Sequence, residues 1–364
     1  MVVAVVVAVV VVAAACSGAP AGSTVGGPGE AARGTPAEDV PADPSPGCGA
    51  GGTRPTSSSP SPVPGTDEQV TLATGEGERW YLRHVPPAHV GSTPVPLVVD
   101  LHGYAEGADV HVVHTGLGAH GDAAGFVTVT PQGSGLLPGW RLAADSPDVA
   151  FVEQVLDDVE ATLCVDRARV YVAGLSNGAM LASVLACELP DRIAAVAVVA
   201  GVTAVPGCGA GDDPGATPRP VPVVAFHGTE DPFLGYDGGF GDAVAALPAP
   251  DGDGTLGEAG VAADPDVVAP PVPDVLAAWA IRNGCDGDPP AEEALADDVT
   301  RLTWACPAGA DVVLHRIEGG GSTWPGSDLL RHASDIVGVT TRSISATEVI
   351  ADFFADHALP PRRR

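Results

Sequence analysis

At 364 residues with 45% apolar side chains, the chain is long enough to bury one large core or two modest ones. Acidic residues outnumber basic ones 46 to 17, for a formal charge of −29, and every residue in that basic count is arginine. A surface this negative repels phosphate backbones and anionic lipid headgroups, which excludes nucleic acid as a partner and favours neutral or apolar ligands.

The chain opens on an unbroken apolar run, MVVAVVVAVVVVAAA, too short for a comfortable membrane span but of the length of a secretory signal core. No arginine precedes it. The run ends in Ala13-Ala14-Ala15-Cys16, which resembles a bacterial lipobox. Residues 1–16 are therefore expected to direct export, with a lipid on Cys16 as the sole membrane attachment; plain secretion and an uncleaved anchor are the alternatives. From 17 to 65 the residues are mostly Gly, Pro, Ser, Thr and Ala, too poor in bulky apolar groups to offset the entropy of ordering, and predict a disordered stalk. Residues 66–357 are expected to form one folded domain, and 358–364 a basic C-terminal tail.

Within that domain, Arg79 to Val85 reads as an early strand. Leu97 to Leu101 (LVVDL) is a short branched-aliphatic run between Pro96 and His102-Gly103, the pattern of a strand buried on both faces. Similar runs recur at Phe126 to Thr130, Arg169 to Ala173, Ile193 to Ala200, Val221 to Phe226 and Val312 to Ile317. Helical periodicity falls between them, at Val149 to Leu163, Asn177 to Leu189 and Pro273 to Arg282. This alternation predicts a doubly wound, mostly parallel α/β sheet. The acidic, Gly/Pro/Ala-rich stretch from Gly235 to Pro273 reads as a surface insertion, either a flap over the site or a mobile loop. Besides Cys16 there are six cysteines, an even set suited to disulfides in an exported chain. Their pairing is open, although Cys285 and Cys306 flank a short segment that they could close. Their spacing implies no metal.

Arg169 to Gly178 reads R-V-Y-V-A-G-L-S-N-G, a strand entering G-x-S-x-G and then a helix. Such a turn lifts a serine above the sheet edge beside a helix N-terminus, so Ser176 is the candidate nucleophile. Acyl transfer also needs donors aimed at the developing oxyanion; the backbone N–H groups of Asn177 and of Tyr104, in the loop after Leu101, are the candidates. His102 lies too early in the chain for a triad base, whose order in this fold is Ser, acid, His, and is expected to shape the loop. The acid is expected in Val223 to Pro232 (VVAFHGTEDP), at Asp231 on the carboxyl edge of the sheet, with Glu230 in reserve and Asp237 behind it.

L-H-G-Y at 101–104, G-L-S-N-G-A at 174–179, H-G-T-E-D-P at 227–232, W-A-I-R-N-G-C at 279–285 and G-G-G-S-T-W-P-G at 319–326 resemble the polyhydroxybutyrate depolymerase and feruloyl esterase group of α/β-hydrolases, including lipoprotein members of mycobacterial type. The resemblance runs from about Thr66 to His357. It implies an α/β-hydrolase fold and hydrolysis of small or polymeric carboxylic esters through an acyl-enzyme, with no cofactor. In that group the turn after the last core strand reads Gly-Gly-His-x-Trp-Pro-Gly and carries the base. Here the flanking residues are kept and Ser322 stands where the histidine belongs. A serine hydroxyl cannot accept and return a proton near neutral pH. His332, just beyond the turn, is the first candidate substitute, then His315 on the preceding strand and His120 in a loop. Trp140 and Trp324 are candidates for an apolar substrate wall or for plain packing.

Overall fold

The computed structural model describes residues 37, 40–49, 62–205, 208, 219–249, 253–257 and 269–361. In chain order the elements are strands β1 (Asp67–Thr74), β2 (Gly77–His84) and β3 (Val95–Leu101); helices α1 (Ala108–Thr115) and α2 (Leu117–Ala124); β4 (Val127–Pro131); α3 (Pro147–Thr162); β5 (Val165–Leu175); α4 (Asn177–Glu188); β6 (Ala195–Val199); β7 (Val223–Gly228); α5 (Asp242–Ala246); α6 (Val272–Arg282); β8 (Ala291–Ala296), β9 (Val299–Thr303) and β10 (Val312–Ile317); and α7 (Ser334–Val337) and α8 (Ala346–Ala355). All ten strands join one sheet in the order β1-β2-β4-β3-β5-β6-β7-β10-β9-β8. From β4 to β10 the neighbours are parallel, and antiparallel strands close both edges. This is the α/β-hydrolase architecture, a mostly parallel sheet with helices on both faces.

The apolar runs form the central strands because they are covered on both sides. Along β3, Leu97, Val99 and Leu101 belong to the apolar layer that includes α3, α4 and α6, while Val98 faces the other layer with Leu117, Tyr171 and Phe354. The chain leaves β3 for β4 on one side and then crosses to β5 on the other. A crevice therefore opens at the carboxyl ends of β3 and β5, where ligands bind in such sheets. Helix α3 starts at Ser146, whose hydroxyl accepts from the Val149 N–H, with Pro147 at its first position.

The segment read as a disordered stalk is corrected in part. Residues 40–49 pack on the domain: the Ser45 hydroxyl donates to the Leu163 carbonyl and accepts from the Val165 N–H, and Cys48 is bonded to Cys164. These contacts lie beyond what low hydrophobicity could reveal, since a disulfide and backbone hydrogen bonds order the segment instead of apolar burial. The tail differs as well, because Leu359 is buried and its N–H donates to the Ala168 carbonyl. The signal run and Cys16 lie outside the described residues. Two further disulfides, Cys187–Cys208 and Cys285–Cys306, complete the pairing. Cys48–Cys164 spans 116 residues, so it removes the most freedom from the unfolded chain. Cys48→Ser is expected to cost about 4–5 kcal/mol by the chain-entropy relation, read as a lower denaturant midpoint under oxidising conditions.

Candidate active site

The nucleophile turn is built by backbone geometry. Ser176 sits between β5 and α4 with φ 51° and ψ −117°, a strained conformation for a non-glycine residue, and its N–H donates to the Val199 carbonyl at 2.8 Å. The glycines on either side permit close approach. A Cβ on Gly178 would lie 2.2 Å from the Leu101 carbonyl oxygen, and one on Gly174 would lie 2.4 Å from that of Gly178. Gly178→Ala is therefore expected to push α4 away from β3 and cost more than the roughly 1–3 kcal/mol of ordinary overpacking, because only backbone can yield; thermal unfolding of the variant measures it.

Asn177 is the first residue of α4, where N–H groups have no intrahelical partner and point to anions. Its side chain brackets Trp140, with Oδ1 accepting from the Trp140 N–H at 2.7 Å and Nδ2 donating to its carbonyl at 3.2 Å. The loop after β3 lies alongside. His102 is fully buried; its Nδ1 is bonded to the Gly103 carbonyl and its Nε2 accepts from the Gly133 N–H, and burial pushes its pKa down to about 4. It therefore holds the loop as a neutral ring. The Tyr104 hydroxyl donates to the carbonyl of Pro248, in the 235–273 stretch, at 2.8 Å.

Asp231 lies in the turn after β7. Its Oδ1 accepts from the N–H groups of Phe233 and Leu234 at 2.8 and 3.0 Å. Burial raises its pKa, and the neighbouring His227 offsets part of that rise. The turn after β10 packs directly against it: the Glu230 N–H donates to the Gly320 carbonyl, and the Thr229 N–H to that of Ile317. Ser322 is in this turn, 8% exposed, its N–H bonded to the Val337 carbonyl and its hydroxyl close enough to lower the Asp231 pKa. The sheet thus brings Ser176, the Asp231 turn and the Ser322 turn to its carboxyl edge.

Among the described residues, the Ser176 hydroxyl has no hydrogen-bond partner. His332 is exposed and its Nε2 accepts from Arg331. His315 is buried in the core, stacked on Phe226 at 4.7 Å, and burial lowers its pKa to about 4. His120 is on helix α2 beside Phe126, where a loop had been expected. Both tryptophans are packed: Trp324 is 1% exposed with its indole N–H on Thr347, and buried Trp140 donates its indole N–H to the His102 carbonyl.

A second cluster escaped the sequence reading. Asp100, Glu106, His111 and His114 form a chain of buried ion pairs under the β3 loop, and Glu106 Oε2 also accepts from the Gly103 N–H at 2.8 Å. The ligand atoms of Glu106, His111 and His114 lie within 4.8 Å of one another, so these residues could hold a cation, although each is paired with another. Two histidines three apart in A-D-V-H-V-V-H, on one helix face, were the available signal.

Residues 80–210 match the family described as Esterase PHB depolymerase. A protein named as the esterase NocK, from Nocardia uniformis subsp. tsuyamanensis, is 29% identical over 79% of this chain and 82% of its own length. Feruloyl esterase C of Emericella nidulans is 32% identical over 48% of this chain and 64% of its own. Acetyl xylan esterase from Aspergillus awamori has the same fold, with a TM-score of 0.53 at 16% identity, covering 74% of this chain and 97% of that one.

Proposed function

We propose, from the premise that this chain belongs to the esterase and PHB depolymerase group, that it is an exported serine esterase of that type whose turnover of simple esters is impaired by loss of its base. Ser176 is the nucleophile, the N–H groups of Asn177 and Tyr104 are the oxyanion donors, and Asp231 is the acid. Ser322 stands in the position of the base. The observation that carries this reading is the Ser176 hydroxyl, held in a strained elbow with no hydrogen-bond partner among the described residues. Without a base to take its proton the hydroxyl is a weak nucleophile, so only the oxyanion donors and substrate binding contribute, roughly 10³ to 10⁴ over water.

The names of the relatives support polyhydroxyalkanoate or feruloyl esters as the substrate class. Three disulfides support an oxidising compartment, in keeping with the apolar run at residues 1–15 and a lipid on Cys16. The second reading, a silent lipoprotein that binds esters without turning them over, draws on the same missing base. Hydrolysis of p-nitrophenyl acetate by the parent and by Ser176→Ala decides between them. Slow parent turnover lost in Ser176→Ala supports the impaired esterase, whereas equal rates with measurable ester binding favour the binding module.

A further inference from the structure

Among the described residues, nothing completes the carboxylate that would orient a base. Asp231 Oδ1 is saturated by two backbone N–H groups, while Oδ2 is buried and has no hydrogen-bond partner. His227 Nε2 lies 3.6 Å from Oδ2, but it is bonded at 2.9 Å to the Leu234 carbonyl. The Ser322 hydroxyl approaches the carboxyl closely enough to lower its pKa, but makes no hydrogen bond of ordinary geometry to Oδ2. A buried acceptor left in this state is destabilising, and a ligand bringing an N–H group would relieve it. The turns that carry Asp231 and Ser322 pack against each other at the sheet edge that holds Ser176, so a ligand that reaches Oδ2 enters at the position of Ser322, where the family resemblance places the triad imidazole.

Building on Ser176 as the nucleophile and Ser322 as the lost base, we propose that the site accepts esters that bring their own base, an imidazole-type N–H heterocycle on the acyl part. The chemistry sets this class. The group must donate one N–H to Asp231 and keep a lone pair for Ser176, and an aliphatic amine, protonated near neutral pH, has no lone pair to offer. An imidazole, with its ordinary pKa near 6.5, has both. The net charge of −29 also favours basic over acidic ligands.

The reaction balances with water alone. The free ring nitrogen accepts the Ser176 hydroxyl proton as Oγ bonds to the ester carbonyl carbon. The imidazolium, its other N–H on Asp231 Oδ2, returns that proton to the alkoxide oxygen as the C–O bond breaks. Alcohol leaves and the acyl-enzyme remains. Because the heterocycle stays on the acyl group, it next takes a proton from the attacking water and returns it to Ser176 Oγ as the carboxylic acid departs. A heterocycle on the alcohol would leave with the first product and strand the acyl-enzyme.

The test compares methyl 3-(imidazol-4-yl)propanoate with methyl 3-phenylpropanoate on the parent, Ser176→Ala, Asp231→Asn and Ser322→His. The parent is expected to favour the imidazole ester by about 10²-fold or more in kcat/KM, the scale of general-base catalysis, with a rise through pH 6–7 that the phenyl ester lacks. Ser176→Ala abolishes the reaction, Asp231→Asn removes the preference, and 2-(imidazol-4-yl)ethyl acetate gives a single burst of alcohol. Ser322→His, with its own imidazole on Asp231, works on both esters and loses the preference. Equal parent rates on the two methyl esters, with Ser322→His active on both, would overturn this proposal and leave the missing-base reading standing. A folded but inactive Ser322→His overturns both.

Discussion

Ser322→His is expected to raise kcat on p-nitrophenyl acetate and butyrate by about 10³-fold or more, equivalent to some 4 kcal/mol of transition-state stabilisation. The proposed acid is arranged for it. Asp231 Oδ1 is fixed by two backbone N–H groups, and Oδ2 is buried without a partner among the described residues, ready to accept from an imidazole Nδ1–H. The turn is held by hydrogen bonds from Gly321 to Val339 and from Ser322 to Val337, so a new side chain inherits a fixed backbone. The gain should need Ser176, vanish in the double variant with Ser176→Ala, and rise with pH through the range in which an imidazole loses its proton. A variant that folds, keeps the parent melting temperature and gains nothing would mean that the serine elbow or the oxyanion loop is not competent either.

The central sheet was legible because its strands carry a signal that position does not blur. Runs such as LVVDL and RVYVA are apolar on both faces, and the glycines of G-L-S-N-G are required by sub-3 Å backbone approaches. The edge strands were not. Strand β8, AEEALA, is almost wholly exposed and has neither the alternation nor the branched residues of a buried strand, so only its pairing with β9 defines it. The candidate site residues were readable one at a time, by motif and chain order, but their surroundings depend on contacts between distant segments. That Trp324 is buried beside His111, and that Tyr104 reaches Pro248, are products of the fold that no local pattern encodes. The buried Asp100–His111–Glu106 chain was missed for the same reason, since an exposed helix could display the same H-x-x-H.

That buried chain is where the second large effect is expected, in stability. Both nitrogens of His111 face carboxylates, Asp100 Oδ1 at 2.9 Å and Glu106 Oε2 at 3.0 Å, so the ring is an imidazolium. Burial by itself would push its pKa down, but the two carboxylates outweigh burial and raise it to about 10. Burial would likewise raise Glu106, yet His111 and His114 hold it well below the ordinary carboxylate range. Glu106→Gln removes one charge from the set and leaves the imidazolium half paired in a buried site, a loss expected at about 3–5 kcal/mol and on the order of 10 °C in melting temperature. Its pH dependence follows from the sign of the His111 shift. A raised pKa contributes stability that is complete below the unfolded value near 6.5 and is lost as pH rises through about 10. The gap between parent and Glu106→Gln should therefore be widest at pH 6–7 and narrow toward pH 10, measured by denaturant titration at each pH. Because Glu106 also holds the Gly103 N–H beside Tyr104, the same substitution in the Ser322→His background should lower kcat more than it raises KM, the mark of a displaced oxyanion donor. A gap that stays constant with pH would mean that His111 is neutral and that packing, not charge, ties this loop to the sheet.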